Sequence, residues 1–299
     1  MQFHNVLVTG SAGLLGRHVV RELVGRCEVA GFDARRAPED IPQTVGDVTD
    51  AAAVRAACTG RDAVVHIAAI PNIWSGPGDR IMTVNVTGTW NVLQAAEDAG
   101  VARVVLCSSD SVAGFTVPSG AMHPPEYAPV DAAHPLRASD PYALSKVLGE
   151  RLCHAFVERG KLEVVALRPV FVLYPEMHGE VKARARDPAG YRGPMVGGPS
   201  AAGGGPLWHY VDPRDAARAF RLALEVPRLA GFEGIYISAT STLAPEPTLE
   251  RLARYLKRPV EVRRPAVYAR NPHAPLYDLA PARDLLGFEA EHDLRHLHD

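Results

Sequence analysis

Three glycines at positions 10, 13 and 16 lie between an apolar strand pattern over Phe3–Val8 and an amphipathic helical pattern over Leu14–Val24, and they constrain this chain most. The string is Thr9-Gly10-Ser11-Ala12-Gly13-Leu14-Leu15-Gly16. Gly10 permits a tight exit from the strand, Gly13 lets backbone approach a ligand, and Gly16 lets the helix pack close to the sheet. The helix N-terminus then turns free N–H groups and a partial positive charge towards the bend, which suits the pyrophosphate of a dinucleotide. Gly10, Ala12, Gly13, Leu14 and Leu15 are the candidate contacts.

The pattern repeats. Strand candidates at Asn5–Thr9, Glu28–Phe32, Ala63–Ile67, Val104–Cys107 and Glu163–Leu167 alternate with helical patterns at Leu14–Val24, Ala51–Ala57, Asp79–Ala99 and Pro141–Glu158. Strands apolar on both faces, separated by helices, predict a parallel sheet covered on each side. After Pro169 the texture changes: residues 174–206 are rich in Gly and Pro, show no periodicity and predict a long loop, a lid or a plain surface connection. Regular patterns resume at Pro213–Glu225, Gly234–Ser238 and Pro247–Leu256.

A net charge of -2 gives no reason to expect nucleic acid or an anionic membrane as partner. The four cysteines are scattered without a CxxC pair, so neither a disulfide framework nor a metal site is expected, and His292, His296 and His298 lack placed partners for one. The apolar pattern starts at once, with no cationic leader or long apolar run, from which a cytoplasmic protein is expected.

The second strand ends at Gly31-Phe32-Asp33. An acidic side chain there accepts hydrogen bonds from ribose hydroxyls and repels a 2′-phosphate, favouring NAD over NADP; Arg35 and Arg36, which follow, pull the other way. Asp47, in Gly46-Asp47-Val48-Thr49-Asp50, either approaches the adenine amine or belongs to a segment that caps the next helix through Thr49 or Asp50. Ala68 and Ala69 leave room for a cofactor at a strand end, whereas His66 reads as a core histidine.

Tyr142 and Lys146 fall four apart, on one face of a helix that Ser139 or Asp140 can cap and Pro141 can open. The helix dipole favours a phenolate, and a neighbouring ammonium together with a positively charged nicotinamide is expected to lower the phenol pKa, fitting Tyr142 for acid/base work. Lys146 would also bind the nicotinamide ribose. Val105-Leu106-Cys107-Ser108-Ser109-Asp110 places hydroxyls at a strand's carboxyl end, where ligands of such sheets bind. Ser109 is the candidate second hydrogen bond to a reacting oxygen, with Ser108 as the fallback.

As an ordered set, Thr9–Gly16, Asp33, Gly46–Val48, Val65–Ala69, Val84-Asn85-Val86-Thr87-Gly88-Thr89, Ser108–Gly114, Tyr142–Lys146 and Leu167-Arg168-Pro169 resemble the extended short-chain dehydrogenase/reductase superfamily, in its NAD-dependent epimerase/dehydratase branch. Tyr210-Val211-Asp212 and Ala282–Phe288 extend the likeness along the chain. The resemblance implies an α/β fold: a Rossmann-type doubly wound parallel sheet over residues 1–170, rejoined by segments around 207–240, with a smaller C-terminal substrate-binding region in 171–299. It implies Ser109, Tyr142 and Lys146 as the catalytic trio, Val48 and Asn85 as further cofactor contacts, and Pro169, Phe171 and Val172 over the nicotinamide. It also implies a homodimer formed through the helices at Asp79–Ala99 and Pro141–Glu158.

Departures from the family narrow the chemistry. Ser111 follows Asp110 where dehydratases carry an Asp-Glu pair, which disfavours elimination of water. Ala113 and Phe171 stand where nucleotide-sugar 4-epimerases carry tyrosine and asparagine. Ser108–Phe115 is similar, over a short stretch, to uronate dehydrogenases. The expectation is an NAD-dependent oxidoreductase or epimerase acting on a secondary alcohol or ketone of a sugar or sugar derivative. Alternatives are a reductase of a non-sugar ketone and a dinucleotide-sensing protein without turnover.

Overall fold

The computed structural model describes residues 3–115, 123–186, 207–229 and 231–298. Its main sheet contains β1 (Asn5–Thr9), β2 (Glu28–Asp33), β3 (Gln43–Val45), β4 (Ala63–His66), β5 (Arg103–Cys107), β7 (Glu163–Pro169) and β8 (Glu233–Ile237), with the short β6 (Tyr127–Ala128) and β9 (Glu261–Val262) pairing apart from it. All seven main strands are parallel, in the order β3-β2-β1-β4-β5-β7-β8. Strand order reverses between β1 and β4. In such sheets the crevice for ligands opens at that point, outside the carboxyl ends of the strands.

The helices are α1 (Leu14–Leu23), α2 (Ala51–Cys58), α3 (Gly78–Met82), α4 (Gly88–Asp98), α5 (Pro141–Glu158), α6 (His178–Arg186), α7 (Pro213–Glu225), α8 (Thr248–Leu256), α9 (Pro265–Arg270) and α10 (Ala280–Leu286). Successive strand residues face opposite cores. Val6, Val8, Val105 and Val165 pack with Val19 and Val20 of α1 and Phe220 and Leu224 of α7. Leu7, Val104, Leu106 and Val164 pack with Val54 of α2, Val92 and Leu93 of α4 and Phe156 of α5. That is why the strands read as unbroken apolar runs. Each fully buried aliphatic side chain contributes roughly 1.5–3 kcal/mol.

Arg103, fully buried, is held by the sheet and the helices together. Its Nη1 donates to the carbonyls of Ala223, Leu224 and Val226 at the end of α7, and its Nε donates to Glu163 at 3.0 Å. These bonds use carbonyls that a helix C-terminus leaves unpaired.

Two elements differ from the sequence expectation. The single helix predicted over Asp79–Ala99 is α3 and α4 joined through a π-helical turn, Thr83–Thr87, which buries Asn85. The loop predicted over 174–206 contains a 3-10 turn, Pro175–Met177, and then α6, where Glu180 and Arg184 pair across one helical turn at 3.1 Å. The glycines and prolines concentrate beyond residue 187, so averaging over the whole stretch hid a helix whose periodicity is weak. Residues 187–206 lie outside the described residues. Among the described residues no helix is long and apolar enough to cross a membrane.

Candidate active site at the carboxyl ends of the strands

The glycine bend is closed by contact. Gly10 has φ +74°, and a Cβ there would meet the Ala68 nitrogen at 2.6 Å. A Cβ on Gly16 would lie 1.9 Å from the Gly10 oxygen, so α1 packs flush against the bend. Gly13 is the N-cap of α1 and supplies no side-chain cap, and the first turn carries no acidic residue. A helix N-terminus left uncapped, beside glycines that keep the bend narrow, fits a phosphate group. Leu14 stands exposed at the mouth of the bend, and Leu15 is buried beneath it.

Asp33, at the end of β2, spans the bend: its Oδ2 accepts from the Ala12 N–H at 3.0 Å and its Oδ1 accepts from Arg35 N–H at 3.0 Å. Asp50 takes the capping role in α2, accepting from the N–H groups of Ala52 and Ala53, while Asp47 accepts from Thr49 and stays outside that cap. Val48 is buried against Gly88.

His66 is a core histidine whose tautomer follows from donor counting. Thr89 donates its only hydroxyl proton to the Asn85 carbonyl at 2.6 Å, so His66 Nε2–H donates to Thr89 at 3.1 Å. Nδ1 then accepts from Thr9, 2.7 Å away, whose oxygen also receives the Ile67 and Ala68 N–H groups. Burial, aided by the Lys146 charge, pushes the imidazole down to about 3.

Asn85 spends its amide within the protein. It accepts from Ile70 N–H at 2.7 Å and donates to the Ile70 carbonyl at 3.1 Å and to Ser145 at 2.9 Å. Asn85 therefore ties the loop after β4 to α5. Ala68, Ala69, Asn85 and Lys146 line one recess. That recess is water-sized; Gly10 abuts Ala68 on one side of it and Lys146 stands on another, so the glycine bend and the mid-chain helix lie close together at the carboxyl ends of β1, β4 and β5.

Asp140, rather than Ser139, caps α5, accepting from Ala143 N–H at 2.8 Å, with Pro141 in the first turn. Tyr142 follows. Lys146 lies one turn on, buried, its Nζ donating to the Cys107 carbonyl at 2.7 Å and lying 5.7 Å from the centre of the Tyr142 ring. In the protein alone the Tyr142 pKa is raised, first by burial and then by Cys107, with Ser109 opposing. Lys146 spends its charge elsewhere: burial lowers its own pKa, with Cys107 and Glu150 acting against that.

Ser108 and Ser109 have different partners. Ser108 donates to the buried Glu150 at 2.5 Å, and Glu150 forms a two-pronged pair with the buried Arg168 at 2.9 and 2.7 Å. Ser109 Oγ accepts from Ser111 N–H at 3.1 Å and donates to Asp110 Oδ1 at 3.2 Å. Of the two, Ser109 is the hydroxyl next to Tyr142. Sequence reasoning missed the Glu150–Arg168 pair, and it missed Tyr277, which donates to Asp110 Oδ2 at 3.0 Å and stacks on Tyr236 at 4.4 Å. No local signal marks these residues, because they come from elements 18 and 167 positions from their partners.

Phe171 and Val172 follow β7 at the strand's carboxyl end, with Val172 bridged to Val211. His209 accepts from Leu276 N–H at 2.9 Å, and its ring lies 5.0 Å from that of Tyr277. Trp208 is buried, whereas Trp74 is exposed.

A doubly wound parallel sheet with a glycine bend at its switch point and a Tyr-Lys helix beside it defines a nucleotide-binding α/β protein. The model of the NAD dependent epimerase/dehydratase family matches residues 6–236, and the chain belongs to that family. It is 35% identical over 167 residues to L-arabinose 1-dehydrogenase (NAD(P)(+)) of Haloferax volcanii, covering 54% of this chain and 65% of that one. It is 35% identical over 195 residues to 3 beta-hydroxysteroid dehydrogenase type 7 of Mus musculus, covering 58% and 51%. The chain thus spans between half and two thirds of the length of these curated relatives. Among solved structures it is similar to MoeE5 in complex with UDP-glucuronic acid and NAD, at 26% identity and a TM-score of 0.70, covering 98% of this chain and 96% of that one.

Proposed function

We propose that this protein is an NAD-dependent oxidoreductase or epimerase that acts on a secondary alcohol or ketone of a sugar or sugar derivative. The observation that carries the reading is that the glycine bend, packed against Ala68 after β4, and the Tyr142–Lys146 helix, whose Lys146 donates to the Cys107 carbonyl at the end of β5, meet at the carboxyl ends of neighbouring strands. When bound there, the nicotinamide supplies a hydride acceptor or donor for the substrate carbon. The N–H groups at Leu14 and Leu15 hold the pyrophosphate, which the absence of a side chain at Gly13 lets approach, and Asp33 receives the adenosine ribose hydroxyls, with Asp47 and Val48 on the adenine side. Ala68, Ala69 and Asn85 shape the floor; Pro169, Phe171 and Val172 cover the nicotinamide; Lys146 holds its ribose. Tyr142 takes the proton of the alcohol in oxidation and returns it in reduction, and Ser109 hydrogen-bonds the reacting oxygen.

The relatives split over the substrate, one acting on a free sugar and one on a steroid by name. The aromatic stack of Phe115, Tyr277 and Tyr236 beside Asp110 supports a non-sugar ring as the second reading. The test is NADH formation from NAD+ with L-arabinose, UDP-glucuronic acid, UDP-glucose or a 3β-hydroxysteroid, assayed alongside Tyr142→Phe. Oxidation of a sugar that the variant abolishes supports the first reading, and oxidation of the steroid alone supports the second. Sugar interconversion without net NADH identifies an epimerase. The same reading makes the protein a homodimer through α3, α4 and α5, where Trp90 stands exposed; light scattering at the 32.2 kDa monomer mass would refute that.

A further inference from the structure

His209 has one proton to give and only one place to carry it. Its Nε2 accepts from Leu276 N–H at 2.9 Å, so Nε2 bears no proton. Burial pushes the ring down to about 3, with no charged group acting on it, so the imidazole is neutral under ordinary assay conditions. The proton therefore sits on Nδ1. Among the described residues nothing accepts from Nδ1, and that atom is not sealed in the core as the Nδ1 of His273 is.

The backbone sets this donor on the ligand side of the sheet. Residues 208–211 run between the segment after β7 and the segment after β8. Val211 N–H donates to the Phe171 carbonyl at 3.0 Å, while the carbonyls of Trp208 and Tyr210 accept from Leu243 and Ala239 at 2.9 and 2.8 Å. Since β7 ends at Pro169 and β8 at Ile237, His209 lies beyond the carboxyl ends of both strands, where ligands of such sheets bind. On its other side the His209 ring lies 5.0 Å from that of Tyr277, and Tyr277 donates to Asp110, the residue after Ser109, at 3.0 Å. His209 thus stands between the Phe171 segment and the turn that carries Ser109.

We infer that His209 is a specificity-determining residue: its Nδ1–H donates to an oxygen of the substrate other than the reacting one, and so selects a polyhydroxylated ring over an apolar one. The inference rests on the sugar reading above and names the residue that enforces it. In that reading Tyr142 and Ser109 are taken up by the reacting oxygen. A further fixed donor suits a sugar, whose neighbouring carbons also bear oxygens. On the first ring of a 3β-hydroxysteroid the reacting hydroxyl is the only oxygen, so there the donor loses its water and gains no partner. Because the ring is neutral, the acceptor it fits is a hydroxyl or ring oxygen rather than a carboxylate or phosphate.

Two substitutions separate the two nitrogens. His209→Gln keeps an acceptor for Leu276 N–H and loses the Nδ1 donor. His209→Asn keeps a donor near the Nδ1 position and leaves Leu276 N–H unpaired. Each is assayed with a sugar of the panel above that is oxidised, and with its deoxy analogues, each lacking one hydroxyl that does not react. One analogue is expected to cost the wild type about tenfold in kcat/KM, mostly through KM, and to cost His209→Gln nothing beyond the loss it already shows on the full sugar. His209→Asn should keep the wild-type discrimination while its unfolding midpoint falls, and NAD affinity should be unchanged in His209→Gln. If every analogue costs wild type and His209→Gln the same factor, or if His209→Gln loses NAD affinity by the same tenfold, the inference is overturned while sugar oxidation stands. Histidine 15N spectra of the unliganded protein add a check free of substrate. The His209 signals, assigned by their loss in His209→Gln, should show a protonated Nδ1 and a bare Nε2; a proton on Nε2 overturns the inference. If no sugar of the panel is oxidised, the sugar reading falls and this inference falls with it.

Discussion

Ser108 and Glu150 are joined by a 2.5 Å hydrogen bond inside the protein, and that bond separates two adjacent serines by task. Ser108 belongs to the Glu150–Arg168 pair, which links β5, α5 and β7, whereas Ser109 faces Tyr142. Ser108→Ala leaves a buried carboxylate one donor short, at a cost of about 1–3 kcal/mol of stability, while kcat stays within a few-fold. Ser109→Ala also leaves the part-buried Asp110 a donor short and the Ser111 N–H unpaired, so it is expected to lose stability too, and in addition about 10²-fold in kcat. Turnover per folded molecule, measured alongside urea unfolding, separates the two; equal kcat losses in both variants would assign them one role.

The glycines of the bend predict a graded series. A methyl at Gly16 collides with the Gly10 oxygen at 1.9 Å, and at Gly10 it meets both a left-handed φ of +74° and the Ala68 backbone. Gly16→Ala and Gly10→Ala should therefore fail to give stable protein. At Gly13 the same methyl stands 3.2 Å from one carbonyl, tight but tolerable. Gly13→Ala should fold and lose at least about tenfold in NAD affinity, roughly 1.4 kcal/mol, through obstruction of the phosphate approach. Calorimetric titration with NAD decides; wild-type affinity in Gly13→Ala would remove the bend from the cofactor site.

What was legible in the sequence follows the range of each interaction. Gly13 and Gly16 act on the bend a few residues away, and Asp140 and Pro141 act on the helix they begin, so both the bend and α5 could be read from spacing alone, whereas the contact of Gly10 with the Ala68 backbone could not. The parallel sheet was legible because both faces of Val104, Val105 and Leu106 are buried. The direction of the Tyr142 shift was not, because it depends on how deeply a folded chain buries the phenol and on Lys146 turning to the Cys107 carbonyl. Tyr277 was invisible for a similar reason: only the folded C-terminal part brings it to Asp110.

Asp33 carries two jobs that one substitution can separate. Its carboxylate holds the Ala12 N–H and the Arg35 N–H, so it shapes the bend as well as facing the ribose site. Asp33→Asn retains an acceptor oxygen while removing the charge. NAD affinity should fall by a few-fold, and discrimination against NADP should weaken, with Arg35 and Arg36 alongside to pair a 2′-phosphate. Asp33→Ala, which also frees the Ala12 N–H, should lose about tenfold or more in NAD affinity. Unchanged preference between the two dinucleotides in Asp33→Asn would show that the selection lies elsewhere.

His66 predicts an acid-sensitive fold. Its pKa drops from 6.5 to about 3 on folding, because the ring is buried between two threonine hydroxyls with its charge unwelcome. The unfolded chain therefore binds a proton that the folded chain refuses between those two values. Stability from this group is complete above pH 6.5 and is lost as pH falls towards 3, at about 1.4 kcal/mol per pH unit. Asp110 works in the opposite sense: its folded carboxyl keeps a proton up to about 6 rather than 3.8, so it adds stability as pH falls through that narrower window. Replacing His66 with Gln removes the titration while keeping a donor and an acceptor for Thr89 and Thr9. Between pH 6.5 and 4 the variant's unfolding free energy should fall less steeply than that of the wild type by about 1.4 kcal/mol per unit. Parallel slopes in urea unfolding across that range would mean that the ring is already protonated in the folded protein.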